Sequence, residues 1–105
     1  MKNSGIRQEV LQEICALAKQ YHVEKVILFG SRARGDFYRT SDIDLAVVGG
    51  DIARFALDVE EETTTLLKYD IVDLNGVVQP ELKQSIEKEG KLIYEKGREL
   101  LLGTI

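Results

Sequence analysis

The stretch from Leu28 to Gly50, LFGSRARGDFYRTSDIDLAVVGG, constrains the fold more than any other part of this 105-residue chain. An apolar run, Val26-Ile27-Leu28-Phe29, stops abruptly at Gly30-Ser31. A basic, glycine-bearing segment follows, and the chain re-enters an apolar run, Leu45-Ala46-Val47-Val48, through Asp42-Ile43-Asp44. Both runs are short, continuous and closed by glycine, the pattern of strands buried in a sheet. Side chains alternate along a strand, so Asp42 and Asp44 share one face while Ile43 and Leu45 take the other. Carboxylates held side by side repel each other, a cost that a divalent cation between them offsets. Oxygen-only donors favour Mg²⁺ or Mn²⁺ over zinc.

A fuller metal cage needs a third carboxylate, and Asp70-Ile71-Val72-Asp73-Leu74 offers two. Asp70 shares a face with Val72 and Leu74, and Asp73 shares the other with Ile71; periodicity alone does not choose between them. The Gly30-Ser31 turn supplies the complementary half. Glycine lets the backbone approach a ligand closely, and the following N–H groups with the serine hydroxyl suit phosphate oxygens. Arg32, Arg34 and Gly35 add positive charge and flexibility beside it. A phosphate cradle on one strand end and a metal clamp on its neighbour together describe a nucleoside-triphosphate site, in which two metal ions can stabilise attacking and leaving oxygens.

The remaining pattern fills in an α/β chain. Ile6, Val10, Leu11, Ile14, Leu17, Ala18 and Tyr21 form a helical stripe over residues 6–21, which the lone His22 is read as closing. Asp51 reads as the N-cap of a helix with Ile52, Phe55, Ala56, Val59, Leu66 and Leu67 on one face. Asp70–Leu74 reads as a third strand, and Pro80 as the first turn of a helix stopping at Gly90. Leu92-Ile93-Tyr94 is the fourth strand. Helix, strand, strand, helix, strand, helix, strand indicates a small mixed β-sheet flanked by helices, in one domain over residues 1–105.

Composition narrows the function classes. A net charge of −4 and a pI near 5.0 argue against nucleic-acid binding, which needs a basic surface, but not against a nucleotide site whose metal supplies the positive charge. The single cysteine, Cys15, allows no internal disulfide and reads as a small core residue in a reducing compartment. With no long apolar span and no signal-peptide pattern, the expectation is a cytoplasmic protein without membrane contact.

Gly30-Ser31, ten residues, then Asp42-Ile43-Asp44 resembles the signature of the DNA polymerase β-like nucleotidyltransferase superfamily. Within it the chain is similar to the minimal nucleotidyltransferases, small proteins that are often antitoxins of HEPN-domain toxins. The resemblance runs through "LFGSRARGD", "SDIDLAVV", "YDIVDLNGV" and "LKQSIEKEGKLIYE". It implies the nucleotidyltransferase fold, with Gly30 and Ser31 binding nucleotide phosphates and Asp42 and Asp44 holding two Mg²⁺ ions, Mn²⁺ being the substitute; the neighbouring Arg32 is read as a further nucleotide contact. The third carboxylate it implies is Asp70, which joins one metal and helps to activate the acceptor hydroxyl; Asp73 is the fallback. The implied reaction transfers AMP from ATP to the acceptor, releasing pyrophosphate.

The chain is too short to supply an obvious lobe for gripping an acceptor, so a partner protein is expected to bring it. The resemblance makes that partner a HEPN toxin, modified on a tyrosine hydroxyl and thereby silenced. Two other readings compete: an antitoxin that neutralises its partner by binding alone, and a nucleotidyltransferase acting on a small molecule held in a partner-supplied lobe. The apolar tail of Leu100, Leu101, Leu102 and Ile105 is read either as a docking segment, for a partner or a second copy, or as a segment packing on its own core.

Overall fold

The computed structural model describes residues 3–97; the tail residues Leu100, Leu101, Leu102 and Ile105 lie outside the described residues. Eight elements follow in the order α1 (Gln8–Gln20), β1 (Lys25–Phe29), α2 (Ser31–Arg34), β2 (Ile43–Val48), α3 (Ile52–Glu62), β3 (Tyr69–Asp73), α4 (Pro80–Glu89) and β4 (Lys91–Glu95). The four strands form one mixed sheet in the order β3-β2-β1-β4. β1 runs antiparallel to both β2 and β4, and β2 pairs in parallel with β3. Parallel neighbours need a crossover, which α3 provides.

The two faces of the sheet are covered unequally. On one, α1 and α3 bury Val10, Ile14, Phe55 and Val59 against Val26, Leu28, Ile43, Leu45 and Val47. On the other, α4 covers a small cluster of Phe29, Ala46 and Ile86, with Ile27, Val72, Leu74 and Leu82 at its edge. Odd-numbered residues of β2 thus face the main core, and even-numbered ones face the α4 side.

Local chemistry accounts for the boundaries. Asp51 caps α3 by accepting from the Arg54 N–H at 3.2 Å. Pro80 occupies the first turn of α4, where its missing N–H costs nothing. α1 ends with His22 in the left-handed region at φ 59°. Its N–H reaches Lys19 O at 3.2 Å and the Val23 N–H reaches Ala18 O at 2.9 Å, the paired bonds of a Schellman motif.

One expectation is corrected. The helical stripe does not continue to Leu66 and Leu67: α3 stops at Glu62, Leu66 is fully exposed and Leu67 half-buried. Thr63 turns the chain into extended backbone, and its hydroxyl donates to Val59 O at 2.6 Å. Three consecutive β-branched threonines make poor helix, and this side chain satisfies the carbonyl that another turn would have used. Among the described residues no helix is long and apolar enough to cross a membrane.

Candidate active site

The candidate site lies at the end of the sheet where β1 leaves, β2 enters and β3 begins. Asp44 stands directly beside Asp70 in the parallel ladder, and Asp42, just before the start of β2, is close enough for its charge to act on the Asp44 carboxyl. Asp44 lies on the α4 face, shared with Ala46 and Val72, and its partner on β1 is Phe29 of the small apolar cluster there. Asp42 and Asp70 are exposed and Asp44 is half-buried. Burial, then the charges of Asp70 and Asp42, push the Asp44 carboxyl up from 3.8 to about 6, against the opposing pull of Arg34 and Arg32.

Asp73 sits elsewhere. It pairs with Val47, three steps down the ladder and on the opposite face. Its carboxylate accepts from the Asn75 N–H at 2.8 Å, closing the turn after β3. Of the two carboxylates that periodicity left open, only Asp70 faces Asp44.

Gly30 closes the site from β1. It adopts φ +74°, and a methyl group there would fall 2.2 Å from Asp44 Oδ2, so any side chain would both strain the backbone and collide with the carboxylate. Ser31 then begins a one-turn helix, α2, where the sequence suggested only a turn. The first N–H groups of a helix have no carbonyl within it to bond, which leaves those of Ser31 and Arg32 for another acceptor.

Arg32 has a different job from the phosphate contact expected of it. It is 2% exposed, and its guanidinium donates to the carbonyls of Ser4 (2.9 Å), Ser41 (3.0 Å), Arg39 (3.2 Å) and Tyr38 (3.4 Å). The Phe37 ring lies 4.8 Å away, a cation–π contact. Ser41 immediately precedes Asp42, so Arg32 sets the loop that delivers the first carboxylate. The accessible cation is Arg34, whose Nη1 lies 2.8 Å from Glu89 Oε2 and whose Nε lies 3.2 Å from Asp36 Oδ2. Glu89 Oε2 also accepts from the Gly30 N–H at 2.9 Å. Periodicity could not reveal Glu89, because its place beside Gly30 depends on how β4 pairs with β1.

Two clefts open nearby, one reaching Asp42 and one beside the Arg34–Glu89 pair. One of about 510 Å³ is lined by Thr40, Asp42, Leu66, Leu67 and Lys68, and another of about 620 Å³ by Arg34, Glu81, Gln84, Ser85, Lys88 and Glu89. Among the described residues no three acidic, histidine or cysteine side chains are gathered into a ready-made metal cage. The donor chemistry nevertheless suits a hard divalent cation: all oxygen, all carboxylate, with Asp44 raised first by burial and then by the negative charges of Asp70 and Asp42.

Residues 12–99 match the sequence profile of the family described as polymerase beta, nucleotidyltransferase. A Methanocaldococcus jannaschii protein bearing the name "putative protein adenylyltransferase" is 35% identical over 91 residues, 75% of this chain and 88% of that one. A second protein of that organism and name is 31% identical over 99 residues, covering 90% of this chain and 99% of its own. Among solved structures, a toxin–antitoxin with AMP-PNP superimposes at a TM-score of 0.67 and 26% identity, covering 90% of this chain and 81% of that chain. The complex of a tri-AMPylated Shewanella oneidensis HEPN toxin with its MNT antitoxin shares the fold at a TM-score of 0.63 and 21% identity, over 94% of this chain and 85% of that one.

Proposed function

Because the chain belongs to the polymerase β nucleotidyltransferase family, we propose that it is a metal-dependent protein adenylyltransferase that moves AMP from ATP to a tyrosine hydroxyl of a HEPN toxin, and so acts as an antitoxin. The observation that carries this reading is Asp44 standing beside Asp70 in the ladder and directly against Gly30, with the charge of Asp42 felt at the same carboxyl. The relatives named for protein adenylylation and the AMP-PNP-bound toxin–antitoxin support the choice of nucleotide and acceptor.

In this reading Asp42, Asp44 and Asp70 would hold Mg²⁺, which supplies charge neutralisation for the triphosphate and the developing oxyanions. Gly30 and Ser31 receive the β- and γ-phosphates. The acceptor oxygen forms a bond to the α-phosphorus as the bond to the bridging oxygen of pyrophosphate breaks. Asp70, on the outer strand of the trio and exposed, takes the hydroxyl proton. Arg32 holds the loop before Asp42, and Arg34 brings positive charge to the turn. Catalysis is then mostly alignment and electrostatics.

The test is the intact mass of a cognate HEPN protein after incubation with this chain, ATP and Mg²⁺. The expected result is addition of AMP, slowed by roughly a thousandfold with Asp44→Asn, the scale of losing a preorganised electrostatic group. An unmodified toxin in a tight complex would instead favour neutralisation by binding alone, and a labelled metabolite would favour a small-molecule acceptor.

A further inference from the structure

Glu89 ends α4, far from the carboxylates in sequence, yet its side chain is built into the phosphate turn. The β1–β4 register pairs Leu28 with Lys91; two residues further along, it sets Gly30 opposite Glu89. The backbone ladder does not extend that far. Instead Glu89 Oε2 accepts from the Gly30 N–H at 2.9 Å and from Arg34 Nη1 at 2.8 Å, one oxygen joining the two groups that flank Ser31. The side chain is only 20% exposed.

We propose that Glu89 is a positioning residue for the nucleotide site, holding the Gly30-Ser31 turn and the Arg34 guanidinium in the arrangement that receives the triphosphate. The inference rests on reading Gly30-Ser31 as the phosphate cradle. A carboxylate at that position could act in the opposite sense, as an internal anion that phosphate must displace. The packing around Gly90 favours the anchor. A methyl group on Gly90 would lie 2.4 Å from Ile86 O and 2.6 Å from Ile27 Cγ2, so the end of α4 is pressed onto β1 with no room to shift. Glu89 is therefore placed by backbone packing, not by a freely swinging side chain. Glu89 and Asp36 engage Nη1 and Nε of Arg34, which leaves Nη2 for a phosphate oxygen in the cleft that Arg34, Lys88 and Glu89 line.

The test is calorimetric titration of ATP with Mg²⁺ into the purified chain and its variants, alongside thermal melts. Glu89→Ala should weaken ATP binding by about tenfold, the worth of a charge-assisted hydrogen bond. Glu89→Gln keeps an acceptor oxygen in place and should recover most of that affinity. Gly90→Ala leaves Glu89 and its partners present but displaces the helix end, and should weaken binding in the same direction. Unchanged or tighter ATP binding in Glu89→Ala overturns the proposal, tighter binding being the mark of a displaced anion. So does a lower melting temperature with unchanged affinity, the mark of a purely structural tie. If Glu89→Ala fails to fold, unchanged affinity in Gly90→Ala overturns it. Absence of ATP binding by the parent chain would defeat the phosphate-cradle reading itself, and the inference with it.

Discussion

The two faces of this sheet divide the work of the molecule. The face under α1 and α3 is a continuous apolar core in which Phe55, Ile14, Leu45 and Val26 are fully buried. The other carries, among the described residues, one helix, a core of three buried residues, and Asp44 and Asp70 of the candidate site. Because β2 lies in both worlds, alternate residues of a single strand meet different surroundings: Ile43, Leu45 and Val47 enter the main core, while Ala46 joins the small cluster and Asp44 opens onto the candidate site. A sheet covered fully on both faces would have had to bury Asp44 among apolar groups. Leaving one end of the second face open lets repelling charges coexist at tolerable cost.

The contrast is open to direct attack. Its largest consequence is for packing: Phe55→Ala should cost about 4 kcal/mol of stability, and Ile86→Ala, from the small cluster beneath α4, about 2 kcal/mol. Equal losses in urea unfolding would show that the two faces contribute alike. A smaller effect, of opposite sign, belongs to Asp44. A carboxyl raised from 3.8 to about 6 holds its proton more tightly in the folded chain than in the unfolded one. Its contribution to stability is present below pH 4 and is lost as pH rises through about 6. In chelator, Asp44→Asn should therefore melt above the parent at pH 7, with the gap closing towards pH 4. A gap that stays constant with pH would remove the electrostatic account of this face. The smallest effect should be that of Asp73→Ala, which removes only the bond to the Asn75 N–H: roughly 0.5–1 kcal/mol of stability and no loss of AMP transfer. Loss of transfer in that variant, with transfer retained in Asp70→Asn, would reverse the assignment of the third carboxylate.

Much of this arrangement was legible in the sequence, for identifiable reasons. Strand runs bounded by glycine, the Asp51 cap and the proline in the first turn of α4 are local signals, and each element formed where its signal lay. The two-residue period of a strand placed Ile43, Leu45 and Val47 on the core side and Asp44 on the other. What periodicity could not supply was pairing. The choice between Asp70 and Asp73 depends on the β2–β3 register, and the contact between Glu89 and Gly30 on the β1–β4 register. Arg32 misled because a basic residue beside a glycine-serine turn suggests phosphate, whereas burial assigned its donors to four carbonyls. Leu66 misled for the converse reason: its spacing continued a helix that the threonine run had already ended.

The bond between Gly30 and Glu89 spans 59 residues, whereas the carboxylates of β2 and β3 meet across a single crossover. During synthesis, where chains emerge N-terminus first, the two halves of the site therefore become available at different times. A nascent chain released only as far as β3 already carries Asp42, Asp44 and Asp70, but lacks the carboxylate that accepts from its Gly30 N–H. The fold thus sets a chronology: the three carboxylates are synthesised before Glu89, and the bond to the Gly30 N–H forms only once α4 has emerged and docked.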